Sequence, residues 1–351
     1  MLWGRSVGVS LAGFVIFSLA GLVISVFSSG LLGFWLGLEI SFFGSLPLLV
    51  GSSVVENQCC TKYYVIQVLG SVGFFFSVLI LVWASFSEKS FDWVMGVFFC
   101  FILWKLGLFP FFWWVKSVVE GLGWLGLFWV LVVQKMGLYW LISGGGLSGI
   151  LFFLCCGSFG ATSLLGGLLG LGQVKFRSIL AYSSLVHSGW MGFISLVSCP
   201  FLMAYFMVYG MLMYGLLSSA KKSFGKGSSS DDVCMLGLSR KSFDKHMWGE
   251  LAMWLLSIGG FPPLLGFVLK VCAIFLLSEV AMVWVSMLAL SSSVSVYYYL
   301  WFASSVLVRF GGGSSAYSMG TFVWFGGGQV FWVLNSLGVL MGTALFLELV
   351  N

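Results

Sequence analysis

Five ionisable side chains sit in runs that are otherwise apolar: Glu39 in FWLGLEISFFG, Lys105 in FILWKLGLFPFFWWV, Lys135 in VVQKMGLYW, His187 in SSLVHSGW and Lys270 in FVLKVCAIF. A charge in hydrocarbon costs at least about 2.5–3.5 kcal/mol on insertion scales, so such residues are rarely kept without a use. A carboxylate, amines and an imidazole can each hold and pass a proton. Burial disfavours the charged form of any such group, and a neighbouring opposite charge restores it. Each group therefore responds when the next one changes, and the chemistry these types favour together is a proton relay. A structural Glu39–lysine pair that fixes helix packing is the alternative. Snorkelling of Lys105 to a membrane surface is disfavoured, because about two helical turns of apolar residues flank it on each side.

The segments that carry two of these lysines are interrupted. Pro110 has no N–H, so the carbonyl of Leu106 loses its helical partner. In LSIGGFPPLLGFVLK, Gly259 and Gly260 precede Pro262 and Pro263, which strand the carbonyls of Ile258 and Gly259. Broken backbone at membrane depth survives only where protein or a water-filled cavity surrounds it. The prolines are expected to hold open a polar gap near Lys270 where stranded carbonyls bind water.

The rest of the chain must position these groups, and its composition says how. Of 351 residues, 60% are hydrophobic and 8% charged, with a mean hydropathy of +1.09. That is an all-α, polytopic transmembrane helical bundle, read as a single domain over 1–351. The net charge of +5 is small and scattered, which excludes nucleic acid as a partner. Eight cysteines without a CxxC spacing, and two histidines, are poor means of holding haem, zinc or an iron–sulfur cluster. Abundant Phe, Gly and Trp beside scarce Pro and His follow a G- and T-rich coding strand, the drift of organellar genomes.

A window of about 20 apolar residues per span gives about 11 spans: 7–27, 30–50, 63–85, 93–116, 122–142, 147–170, 178–198, 200–218, 248–277, 279–308 and 329–349. The longer polar connections are 219–247 and 310–328. Taken as two sets of five, the interrupted helix is fourth in each, and Glu39 and His187 fall in matching second places. That is the pattern of inverted five-helix repeats with two interrupted helices. Of the 16 Lys and Arg, Lys105, Lys135 and Lys270 lie well inside spans, and 12 of the other 13, counting Lys116 at the end of the fourth span, fall on the side of the N-terminus, with Lys89 opposite. The N-terminus should therefore face the compartment that basic loops prefer, and Asn351 the other. Glycine-rich faces such as Gly166, Gly167 and Gly170 are expected to let helices of partner chains approach closely.

With these residues in place, the chain resembles the NADH–ubiquinone oxidoreductase chain 2 family, mitochondrially encoded antiporter-like core subunits of respiratory complex I. GLEI (37–40), KLGLFPFFWWV (105–115), QK (134–135), KFRSILAYSSLVHSGWM (175–191), LSIGGFPPLLGFVLK (256–270) and SVYYYLW (295–301) carry the resemblance. It implies that Glu39, Lys105, Lys135 and Lys270 are proton-pathway residues, with His187 matching a family histidine. It also implies proton translocation across the mitochondrial inner membrane, with the N-terminus on the matrix side and the C-terminus in the intermembrane space. On this reading the chain itself holds no cofactor. NADH, FMN, iron–sulfur clusters and ubiquinone belong to other subunits of the complex. The implied partners are other complex I subunits, especially the antiporter-like chain 4 and small membrane-arm chains such as 4L, together with membrane lipid. After Pro110 the chain departs from the family. Phe112 replaces its usual histidine, Lys116 its second proline and Ser117 its acid, and Glu120 reads as a solvated loop charge. Two rivals remain at this stage: a free-standing cation/proton antiporter, which would transport ions when purified alone, and a structural membrane anchor, which would tolerate loss of the charges.

Overall fold

The structure, a computed structural model, describes residues 3–84, 91–145, 149–224, 245–262, 264–278, 282–311, 331 and 335–336. Lys89, Pro263, Asn351 and most of 219–247, 310–328 and the eleventh span lie outside the described residues. Among those described, every regular element is helical. Seven helices are long and apolar enough to cross a membrane, and four shorter apolar helices accompany them. The chain divides into two compact units, Met1–Thr162 and Ser163–Asn351.

The first unit holds α1 (Trp3–Phe27), α2 (Leu31–Leu49), α3 (Val54–Ala84), α4 (Phe91–Leu106), α5 (Trp113–Val119), α6 (Trp124–Phe128) and α7 (Gln134–Gly144). Lipid removes the hydrophobic driving force between helices, so close packing and hydrogen bonds must hold them together. The α1–α2 contact shows how. A Cβ on Gly21 would lie 2.3 Å from the Ser41 nitrogen, and one on Gly44 would lie 2.6 Å from the Ser18 nitrogen. Ser18 Oγ donates to the Ser41 carbonyl at 3.0 Å across this contact. Trp129 Nε1 donates to Ser18 Oγ at 2.8 Å, and Gln134 Nε2 donates to the same Ser41 carbonyl at 3.2 Å. The element that carries Lys135 is thereby bound to the helix that carries Glu39.

Two expected spans differ from the structure. The third begins at Val54 rather than residue 63. Ser53 and Glu56 form a capping box there: Glu56 N donates to Ser53 Oγ and Ser53 N to Glu56 Oε2, both at 3.2 Å. The fifth is not one regular helix. A π-helical turn, Trp129–Val133, separates α6 from α7 immediately before Gln134 and Lys135. Wide turns of this kind re-aim the side chains that follow and are frequent at functional sites.

The second unit holds α9 (Phe176–Val197), α10 (Cys199–Phe224), α11 (Lys245–Gly259), α12 (Leu265–Ser278) and α13 (Met282–Gly311); the unit boundary falls inside α8 (Gly149–Gly170). Its core is α9, 94% buried over its apolar window. Despite that burial α9 carries Ser183, Ser184, Ser188 and Ser195, whose hydroxyls donate to carbonyls three or four residues back at 2.6–2.9 Å. The helix thus satisfies its own polar groups. Arg177, just outside the expected span 178–198, is buried in the first turn of α9. The small residues of α8 also differ from expectation. Gly166 lies against the backbone of Tyr182 and Val186, Gly167 against Ser291 and Gly170 against Tyr298. Those faces are used within the unit, because these helices need the same close approach as a partner would.

Candidate functional site

Lys105 is in the last turn of α4, and both interruptions are built alike. At the first, Gly107 has φ +68°; Gly107 N donates to the Trp104 carbonyl at 3.2 Å and Leu108 N to the Leu103 carbonyl at 3.0 Å. At the second, Gly260 has φ +83°; Gly260 N donates to the Ser257 carbonyl at 3.2 Å and Phe261 N to the Leu256 carbonyl at 3.1 Å. These are paired Schellman terminations, in which a glycine in the left-handed region ends the helix. The expectation that proline makes the break is corrected by this geometry. Pro110 and Pro262 follow the glycine cap, where a residue that cannot continue the helix is well placed.

The carbonyls at the first break find protein partners. Gln67 Nε2 donates to the Lys105 carbonyl at 3.1 Å and Trp114 Nε1 to the Trp104 carbonyl at 3.3 Å. Gly70 clears room for the lysine stem, since a Cβ there would lie 2.8 Å from Lys105 Cγ. The ammonium then reaches α2, where Nζ donates to Glu39 Oε1 at 3.1 Å. The side chains are 5% and 13% exposed, so this is a buried ion pair. At that separation the attraction is about 5 kcal/mol for an effective dielectric of about 20. Taking each ion out of water costs several kcal/mol. Gain and cost nearly balance, which is the condition for a pair that can open as well as close.

A small cavity of about 20 Å³ lies beside the pair, lined by Lys105 and Lys135 together with Tyr63, Gln67, Gln134 and Trp114 among others. That is room for about one water, with polar groups on its wall. Lys135 is 5% exposed. Three of the five residues singled out from sequence therefore meet in one place. A larger cavity in the same unit, about 590 Å³, is lined by apolar side chains such as Phe34, Phe98 and Trp140 and touches none of them.

The other two lie in the second unit, on helices that pack together, α9 and α12. Buried His187 shares a hydrogen bond between Nδ1 and Tyr205 Oη at 2.9 Å, and its ring centroid lies 4.7 Å from that of Tyr209. Lys270, 6% exposed, donates from Nζ to the Gly259 carbonyl at 2.6 Å. The stranded carbonyl that was expected to bind water is thus met by the lysine itself. The lysine folds over Gly260, where a Cβ would lie 3.1 Å from Nζ. Residues 256–270 thereby form a closed loop from a broken helix end to its own cation.

Gln67 and Tyr205 are functional-site neighbours that the sequence reading missed. Among the described residues, no three His, Cys, Asp or Glu side chains gather as a metal site.

Two lysines beside glycine-ended helix breaks, one of them paired with a buried carboxylate, lie within a polytopic helical membrane protein. Residues 28–295 match the family described as NADH:quinone oxidoreductase/Mrp antiporter, transmembrane. The chain is 27% identical over 284 residues to NADH-ubiquinone oxidoreductase chain 2 of Rhipicephalus sanguineus, covering 80% of this chain and 84% of that one. It is 30% identical over 284 residues to the chain of the same name from Lumbricus terrestris, covering 79% and 81%. A chain of respiratory complex I from Thermus thermophilus superposes with a TM-score of 0.73 at 21% identity, over 95% of this chain and 78% of that one. A chain of the Mrp complex from Dietzia sp. DQ12-45-1b gives 0.70 at 15% identity, over 84% and 59%. At such identities the two structures speak for the fold. The chain belongs to the NADH-ubiquinone oxidoreductase chain 2 family.

Proposed function

We propose that this chain is a core membrane-arm subunit of respiratory complex I that translocates protons across the mitochondrial inner membrane, coupled to electron transfer from NADH to ubiquinone in partner subunits. The observation that carries the reading is the buried Glu39–Lys105 pair, whose lysine lines a water-sized cavity that Lys135 also lines. With the pair closed, Glu39 holds the Lys105 ammonium. When Glu39 turns away or takes a proton, the ammonium stands in apolar surroundings and passes its proton through the cavity towards Lys135. Lys270 and His187 serve the same transport in the second unit, Lys270 held by the Gly259 carbonyl and His187 by the Tyr205 hydroxyl, which can turn between donor and acceptor.

The family match runs across the unit boundary, which supports one antiporter-like domain over 1–351. The matching glycine-ended breaks support inverted five-helix repeats with two interrupted helices, within a bundle of about 11 spans. On this reading the chain carries no redox group; NADH, FMN, iron–sulfur clusters and ubiquinone are bound elsewhere in the complex. Its neighbours are the antiporter-like chain 4, small chains such as 4L, and lipid.

Native mass determination tests this function. The chain is expected in an assembly many times its own 38.4 kDa, together with flavin and iron–sulfur absorbance. A chain that purifies alone and exchanges cations for protons would replace this reading with a free-standing antiporter.

The basic-residue bias supports a topology with the N-terminus and residues 219–247 on the matrix side and Asn351 in the intermembrane space. Protease should cut within 219–247 in inside-out vesicles and spare it in right-side-out ones. Cleavage from the outer face would reverse the topology.

A further inference from the structure

We propose that Asn335 is a positioning residue for Lys270: it fixes the two ends of the interrupted helix so that the Gly259 carbonyl and the Lys270 ammonium meet. This rests on the proton-translocating reading above. Asn335 is 4% exposed. Its Oδ1 accepts from Ser257 Oγ at 2.9 Å and from the backbone N of Leu265 at 3.1 Å, and its Nδ2 donates to the Phe331 carbonyl at 3.0 Å. The Leu265 N–H can only donate, which fixes the amide oxygen on that side.

Ser257 is in the last turn of α11 and Leu265 is the first residue of α12. One amide oxygen therefore ties the end of one half-helix to the start of the other. The first N–H groups of a helix have no intrahelical acceptor, and an unmet donor at membrane depth is costly. Asn335 supplies that acceptor from outside both halves. Beside it, Gly266 sits so close to the Ser257 carbonyl that a Cβ would collide with it. The half-helices are thus clamped at one point, and from there Lys270 reaches back to Gly259 at 2.6 Å. A slip of one residue in α12 is a rotation of about 100° and would carry the ammonium away from that carbonyl.

The test uses the assembled complex in liposomes. Asn335→Leu removes all three bonds at similar volume, while Asn335→Asp keeps the acceptor oxygen. Asn335→Leu is expected to assemble, to reduce an artificial electron acceptor at the parental rate, and to pump about fivefold more slowly, the change that one ordinary hydrogen bond corresponds to. Its solvent deuterium isotope effect on pumping should rise, which a merely structural role would not produce. Asn335→Asp should lose less than Asn335→Leu, since it keeps the acceptor oxygen and gives up only the donor to the Phe331 carbonyl. Parental pumping and isotope effect in Asn335→Leu would overturn the proposal, and so would equal losses in the Leu and Asp variants. If Asn335→Leu does not assemble, Ser257→Ala decides: slowed pumping with a raised isotope effect supports the clamp, and parental behaviour overturns it. Lys270→Met separates the two readings. Parental pumping there sinks the proton-transfer role of Lys270, whereas loss there with a parental Asn335→Leu sinks the positioning role alone.

Discussion

Lys105→Met is expected to leave the complex assembled and its reduction of artificial acceptors unchanged, while proton pumping and coupled NADH oxidation fall by about a hundredfold, the lower end of what a positioned proton-transfer group contributes. Methionine fills the space of the lysine stem beside Gly70 but cannot hold a proton or answer Glu39. Removing one partner of a buried pair leaves the other charge uncompensated, which is the more damaging change. Should that cost assembly, Lys105→Met combined with Glu39→Gln removes both charges and is expected to restore it without restoring pumping. Proton pumping by reconstituted complex is the readout. Parental pumping in either assembled variant would show that the pair serves packing.

Gly260→Val is expected to cut pumping by about tenfold, and Pro262→Ala to leave it near the parental rate. A side chain at φ +83° adopts a left-handed backbone, at a cost of about 1–2 kcal/mol. A change of about 1.4 kcal/mol is tenfold in an equilibrium constant. Its Cβ would also press on the Lys270 side chain at 3.1–3.3 Å. Pro262, by contrast, lies beyond a helix end that glycine has already made. Pumping in liposomes again decides, with assembly followed in parallel. A Pro262→Ala complex that assembles and loses pumping would return the break to proline.

Glu39, Lys105, Lys135 and Lys270 stood out in the sequence because charges are few and their surroundings apolar, and the structure buries all three lysines. The sequence offered Glu39 a lysine partner without saying which, and the structure makes it Lys105. The breaks were legible from glycine and proline, but their cause was not, since a Schellman cap is a property of backbone angles and both residue types stood at the same place. Gln67, Tyr205 and Asn335 were hidden for another reason. Neutral polar side chains look alike in sequence, and their partners lie 38, 18 and 78 residues away. The early start of α3 was present as S-V-V-E at 53–56, masked by a hydropathy window that begins where apolar residues become dense. The Gly166, Gly167 and Gly170 face was visible as a close-packing surface, but sequence does not say whether the other helix is in the same chain.

The central claim is that Lys105 gives up and regains a proton during transport. The measurement that tests it most directly is the pumping rate of an assembled Lys105→Arg complex in liposomes. Arginine keeps the positive charge and the donors that Glu39 accepts from, but guanidinium does not release its proton. Proton release from Lys105 requires that complex to transfer electrons to an artificial acceptor at the parental rate and to be silent in pumping. Pumping at the parental rate would contradict it and leave Lys105 a fixed charge that holds α4 against α2.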